Sequence, residues 1–188
     1  DTIRKRPLAM MQHKSRSNNS LKGLAKIAAE QLANPDGPSV AIFDIAGFDT
    51  HADQGGDSGQ HAKKLQQFDN IVGTIENKMG PNFQNTIIVS LTEFGRTVDQ
   101  NGGSGTEHGY GSAILMAGGL LHKSKIISDW PGLEKKNLFE GRDLDSSIDA
   151  RAVYASILAR VLDSDHKQIV KNAFFGADLP DMTNRIFG

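Results

Sequence analysis

Two separated stretches of the chain concentrate acidic, imidazole and guanidinium side chains. The first reads Gly-Phe-Asp-Thr-His-Ala-Asp-Gln over residues 47–54, and the second runs over residues 92–109. Each follows an apolar run that is typical of a buried strand. Because open α/β sheets build their sites where strands end, we expect these side chains at one edge of a sheet. Such residue types suit a hard or borderline metal ion together with an anion.

The first stretch contains a candidate pair of metal ligands, Asp49 and His51. In an extended segment, residues i and i+2 point to the same side, so the carboxylate and the imidazole could share one ion at about 2.0–2.2 Å. Asp44, five residues before Asp49, could serve a second ion or hold a ligand from behind. The alternative interpretation is an Asx turn followed by an exposed histidine.

The second stretch offers three further candidates. Glu93 follows a predicted strand and could be a metal ligand, a general base or the cap of a turn. Arg96 could pair with Glu93 or offer its planar fork to a phosphate or sulfate. His108 lies among glycines, which let backbone segments approach closely, just before a third apolar run. We therefore predict that Asp49, His51 and His108 surround one cation.

Bulk properties narrow the classes of partner and of metal site. With 188 residues, a single domain is the default, and residues 1–19 are expected to be a tail or leader. A net charge of −1 gives no global reason to expect nucleic acid. The chain has no cysteine, so any metal must use histidine and carboxylate ligands. The longest apolar stretch, at 113–121, is shorter than the roughly 20 residues of a membrane span.

The hydropathy pattern predicts the elements that would position these groups. Helical spacing recurs within residues 21–32, 65–79 and 149–162, and a short helix is expected near 166–174. Continuous apolar runs at 40–43, 87–91 and 113–117 are typical of strands buried on both faces, and a short edge strand is expected at 125–130. The order favours a three-layer α/β/α sandwich with a mostly parallel sheet. So few strands would leave open edges, which predicts completion by further strands or by another copy of the chain.

The motifs at 47–54, 92–97 and 105–111 resemble those of a large uncharacterised bacterial family that is usually grouped with the alkaline phosphatase and sulfatase superfamily. Trp-Pro-Gly-Leu at 130–133 and the Asp-rich pattern at 143–153 match it in the same order, so the resemblance covers roughly residues 38 to 162. It implies an alkaline phosphatase-like fold, of which this chain would be the C-terminal part. Members often carry twin-arginine export signals, which implies a periplasmic or secreted protein.

The resemblance also implies roles for individual residues. In the superfamily one metal is held by an Asp and a nearby His after a strand, and by a His before a later strand; these positions fall on Asp49, His51 and His108. Glu93 stands at the carboxylate position of the other metal, but Phe94 stands where that metal's His would be. Asp44 matches an acid that holds an additional magnesium in some phosphatases. The usual nucleophile lies on an upstream strand and has no counterpart here.

The leading expectation is a metal-dependent hydrolase of phosphate or sulfate esters. Its catalytic residues would be Glu93 and Arg96, its ion most favourably zinc, with magnesium, calcium and manganese as alternatives, and its substrate an anionic small molecule or a glycan ester. One alternative is a degenerate, non-catalytic binding or envelope-structural domain on the same fold. Another is a single-zinc peptidase or deacetylase with Glu93 or Glu107 as the base. The expected protein partner is a missing N-terminal half or a second copy of the chain.

Overall fold

The computed structural model describes residues 18–188. Its α-helices are α1 (Asn18–Ala33), α2 (Gln60–Met79), α3 (Ala150–Val161), α4 (His166–Ala173) and α5 (Thr183–Phe187). Its strands are β1 (Ile88–Val89), β2 (Gly95–Arg96), β3 (His108–Gly109) and β4 (Met116–Ala117), and short 3-10 helices cover Gly80–Asn85 and Lys135–Asn137. Among the described residues β1 pairs with β4, and β2 pairs with β3 in antiparallel register.

The described residues form two compact units. The first comprises the residues up to Ile88 together with Gln100–Glu107 and Ala117–Gly119. The second comprises Val89–Asp99, His108–Met116 and Leu120–Gly188. The boundary thus passes between Glu107 and His108, so neighbouring residues of one sequence motif belong to different units.

The first unit is built on the packing of α1 against α2. Apolar residues at helical spacing give each helix one buried stripe, which the other helix covers. Each large aliphatic side chain buried in this way contributes roughly 1.5–3 kcal/mol. The buried cluster consists of Leu21, Leu24, Ala25, Ala29, Ile71, Ile75 and Met79, and Leu32, Phe43, Ile45, Phe83 and Ile88 pack against it.

The second unit packs around α3, which is rich in alanine and buried along most of its length. Ser156, in its middle, is 0% exposed, yet its hydroxyl is satisfied. Its Oγ donates to Ala152 O at 2.8 Å and accepts from Met182 N at 2.8 Å. Because a buried hydroxyl without partners would be costly, this pair of bonds fixes the segment before α5 against α3. The apolar residues around it include Val153, Ile157, Val170, Leu179, Ile186 and Phe187.

The helices lie where the sequence predicts them, whereas the strands are shorter. α4 lies at its expected position, and α2 ends where expected but begins at Gln60, before the predicted range of 65–79. α3 is flanked by Asp149 and Leu162 as its caps. β1 lies inside the run 87–91, and β4 covers only the end of 113–117. The runs at 40–43 and 125–130 form no strand in the described part of the chain. An apolar run predicts burial, but a strand also needs a hydrogen-bonding neighbour. Phe43 is half-buried against the helices and belongs to no strand.

The predicted three-layer sandwich and the single-domain organisation remain predictions. The predicted tail or leader at 1–19 lies largely outside the described residues, and α1 begins at Asn18. Between residues 18 and 188, no helix combines the length and the apolar character that crossing a bilayer requires.

Asp149 is expected to stabilise the second unit as the N-cap of α3. Its Oδ1 accepts from Arg151 N at 2.8 Å, and the Arg151 side chain holds both carboxylate oxygens. We expect Asp149→Ala to lower the free energy of unfolding by about 1 kcal/mol, and Asp149→Asn, which keeps a capping oxygen, to cost less. Urea denaturation of the three proteins at neutral pH measures this; equal midpoints for wild type and Asp149→Ala would contradict it.

The contact between Asp149 and Arg151 also makes the stability of the second unit depend on pH. The Arg151 side-chain hydrogen bond holds the pKa of Asp149 below the usual range of an aspartate. Partial burial raises this pKa, and the hydrogen bond from the Arg151 backbone lowers it further. A depressed pKa stabilises the fold above the pKa of the unfolded chain, and that contribution is lost as pH falls through the folded value. The difference in the free energy of unfolding between wild type and Asp149→Ala should therefore become smaller in strong acid.

Candidate metal centre

Two loops of the first unit, residues 48–54 and 101–107, lie side by side. Ala52 and Ser104 form an antiparallel bridge. Backbone hydrogen bonds on either side of it run from Asp53 N to Gly103 O at 3.0 Å, from Gln54 N to Ser104 O at 3.0 Å and from Thr106 N to Thr50 O at 3.2 Å. The two loops are therefore joined by a short ladder, although some 50 residues of chain separate them.

A buried polar clasp reinforces this ladder. Gln54 Oε1 accepts from Thr50 Oγ1 at 2.9 Å and from Thr106 Oγ1 at 2.7 Å, and the two threonines are only 4% and 9% exposed. Breaking such bonds would leave buried polar groups unsatisfied, which costs about 1–3 kcal/mol. Gly105 permits the close approach, because a Cβ there would meet Thr50 O at 2.6 Å and the backbone of His51.

The ladder presents a chain of three ionisable side chains. His51 Nε2 lies 3.0 Å from Asp49 Oδ1, and His51 Nδ1 lies 2.7 Å from Glu107 Oε2. Asn101 Nδ2 donates to Glu107 Oε1 at 2.5 Å and to His51 O at 2.9 Å. Asn101 Oδ1 in turn accepts from the backbone of Gly103 and Gly105, both at 2.9 Å. The imidazole is thus held between two carboxylates, one of which is itself anchored.

The hydrogen bonds that link Asp49, His51 and Glu107 leave a position for a cation. An ionised carboxylate only accepts, so the Glu107 contact requires a proton on His51 Nδ1. In the neutral ring, Nε2 then turns a lone pair towards Asp49 Oδ1, which is also an acceptor. Two acceptor atoms 3.0 Å apart need a cation between them, either a second proton or a metal ion. Ligands at about 2.0–2.2 Å in a tetrahedral zinc site lie roughly 3.3–3.6 Å apart, so this pair would have to open by a few tenths of an ångström to hold such an ion.

Glu107 has a role that its sequence context does not reveal. The sequence offered it as the base of a single-zinc peptidase, whereas the geometry makes it a carboxylate that orients His51. A carboxylate behind a metal-binding histidine fixes the ring and raises its basicity. The contact joins residues 56 positions apart, so neither spacing nor periodicity could have indicated it.

The remaining candidates of the second stretch form a cluster in the second unit. His108 opens β3 opposite Arg96, and its ring stacks on Phe94 with centroids 3.8 Å apart and planes inclined by 7°. The Arg96 guanidinium carbon lies 4.9 Å from the centroid of Phe94, within the range of cation–π attraction. Glu93 is exposed in the bend that precedes β2. Phe94 therefore fixes the orientation of both His108 and Arg96.

Asp44 belongs to the first unit but has no role that the geometry supports. It is exposed in a stretch without regular structure, and its carboxylate has no hydrogen bond or ion pair with any described residue. Its assignment as a ligand of an additional metal stays a prediction.

Comparison with known proteins supplies a family and no closer relative. Neither the curated proteins nor the solved structures include a significant match. One family model, described as "Protein of unknown function (DUF1501)", matches residues 3–174, which is most of the 188-residue chain. The chain therefore belongs to the DUF1501 family.

Proposed function

We propose that the chain is a metal-dependent hydrolase of phosphate or sulfate esters, or the metal-bearing part of one. The observation that carries the proposal is the Asp49–His51–Glu107 chain, in which His51 Nδ1 is held at 2.7 Å by a carboxylate and Nε2 is directed at another carboxylate 3.0 Å away. That is the arrangement in which proteins hold zinc through histidine. His108, the next residue after Glu107 in the chain, is proposed as the third ligand.

Each residue has a distinct task in this proposal. A divalent ion, zinc by the nature of the donors, would polarise the ester oxygen and lower the pKa of a water from about 15.7 towards 7. Arg96 would bind the anionic group through its planar fork. Glu93 would accept the proton of the attacking water through its carboxylate. Asn101 and Glu107 would keep the imidazole of His51 in the tautomer and orientation that leave Nε2 free to bind.

The motif resemblance supports the choice of reaction. We infer that the DUF1501 family is related to the alkaline phosphatase and sulfatase superfamily, whose metal-binding Asp and His positions fall on Asp49, His51 and His108. The substrate would be an anionic small molecule or a glycan ester. The export signals that are frequent among the proteins it resembles support a periplasmic or secreted location.

The proposal predicts activity that depends on an added metal ion. Protein stripped with a chelator and then loaded with Zn²⁺, Mn²⁺, Mg²⁺ or Ca²⁺ should hydrolyse at least one ester from a panel of aryl phosphates, phosphodiesters and aryl sulfates. Renewed chelation should remove the activity, and metal content should be measured on the same samples. Stoichiometric zinc without turnover of any ester in the panel would contradict hydrolysis.

A second function is favoured by the exposure of the site. The side chains of His51, Asp49 and Glu107 are 44%, 53% and 52% exposed, whereas reacting groups usually lie where water is excluded. Phe94 also favours this second function, because it stands at a position where the superfamily has a metal-binding histidine. Such a chain would be a metal-dependent binding domain without catalysis. Zinc binding that survives alongside complete inactivity would favour this function over the first.

A further inference from the structure

A lysine of the first unit covers the start of the loop that carries Asp49 and His51. Gly47 begins this loop with φ +98°, a conformation that favours glycine. A Cβ at this position would lie 2.7 Å from Lys64 Nζ and would overlap Lys64 Cε. The stem of Lys64 therefore rests directly on the bare backbone of Gly47, so the glycine makes room for the lysine.

The ammonium group of Lys64 makes few contacts with the protein. The residue is half-buried, and its one hydrogen bond among the described residues is a long one, 3.4 Å to Gln67 Oε1. It forms no ion pair with any carboxylate that the structure describes. An ammonium carries three donors, and the bond to Gln67 uses one of them. Two or more of these donors are thus available to an anion.

The position of Lys64 indicates which anion its ammonium group would bind. Gly47 precedes Asp49 by two residues, and two residues span at most about 7 Å of chain. The ammonium consequently lies beside the backbone that leads into the candidate metal ligands of the same unit. We propose that Lys64 binds a non-bridging oxygen of the tetrahedral oxyanion, phosphate or sulfate, of the substrate. This inference rests on the proposed function and gives its site an anion-binding residue in addition to Arg96.

The charge itself is what this role requires. A tetrahedral oxyanion offers several acceptor oxygens to a compact ammonium, and charge-assisted hydrogen bonds of this kind are stronger than neutral ones. Lys64→Met keeps an unbranched stem over Gly47 but removes the charge, while Lys64→Arg keeps a charge. Lys63, the exposed neighbour, provides the matched control variant Lys63→Met.

The test is calorimetric titration of inorganic phosphate, and separately sulfate, into the full chain, both zinc-loaded and chelator-treated. We expect Lys64→Met to weaken phosphate or sulfate binding roughly tenfold to a hundredfold, as the loss of a hydrogen bond to a charged group does. Lys63→Met should bind as wild type does, and Lys64→Arg should recover much of the affinity. Zinc content should be the same in all four proteins.

Several outcomes would overturn the role of Lys64. One is equal anion affinity in wild type and Lys64→Met, and another is an equal loss in Lys63→Met; either would leave ester hydrolysis standing on its own assay. Wild-type protein that binds neither anion in either form also overturns the inference. If Lys64→Met loses phosphate binding while no ester is hydrolysed, the anion site stands and the proposed catalysis falls.

Discussion

His51→Ala is expected to weaken zinc binding by more than about a hundredfold and to abolish metal-dependent ester hydrolysis. Loss of an outer carboxylate alone typically costs 10–100-fold in metal affinity, and removal of a direct ligand should exceed that. His51 is the residue whose Nε2 faces Asp49 while Nδ1 is held by Glu107. Competition with a zinc-binding dye measures the affinity, and the ester panel measures turnover.

The control for this variant is His122→Ala, because His122 is exposed in the second unit and takes no part in the candidate site. His51→Gln provides a second variant that keeps a polar side chain in the loop. Thermal unfolding of each protein without metal separates loss of a ligand from loss of the fold. Wild-type zinc affinity in both His51 variants would show that this histidine does not hold the ion.

Glu107→Gln is expected to reduce zinc affinity by about 10–100-fold without removing any proposed ligand. The carboxylate accepts from His51 Nδ1 at 2.7 Å and is fixed by Asn101. A glutamine of the same size can still accept a hydrogen bond, but it loses the charge that strengthens it and that makes the imidazole a better donor to a metal. Titration of zinc against the dye, at one fixed pH, gives the ratio of the two dissociation constants.

Glu134→Gln is the matched control, since Glu134 is an exposed carboxylate of the second unit that pairs with Lys136. Its zinc affinity should equal that of wild type. If Glu107→Gln binds zinc as tightly as wild type does, Glu107 is not the group that orients His51. If it loses zinc more completely than His51→Ala, Glu107 is itself a ligand and the present assignment is wrong.

The helices could be predicted from the sequence because their signals are local. The spacing of Leu65, Phe68, Val72, Ile75 and Met79 and the Gly-Pro that follows define α2, and Asp149 caps α3. The sequence did not show that the apolar run at 40–43 would form no strand. Its apolar residues predict burial, and Phe43 is half-buried against the helices. Strand pairing, however, depends on a partner strand that no local pattern specifies.

In the candidate site too, features with a local sequence signal could be predicted, and contacts between distant segments could not. The types and spacing of Asp49 and His51 indicate this pair, and the structure brings their side chains to 3.0 Å of one another. The anchoring of His51 by Glu107, and of Glu107 by Asn101, depends on contacts between distant segments and was not foreseen. Lys64 was also missed, because a helical lysine has the pattern of an ordinary solvated residue. Only the conformation of Gly47 draws attention to it.

The clasp formed by Thr50, Gln54 and Thr106 has a consequence for how the site comes into being. It closes a ring of chain that contains all of α2, so the helix can form from local contacts well before the ring is shut. The imidazole of His51 and the carboxylate of Glu107, which lie next to Thr50 and Thr106, meet only when this ring closes. Since doubling the length of a closed ring costs only about 0.6 kcal/mol, relatives could accept insertions in the exposed turn at 55–58 and still complete the same arrangement.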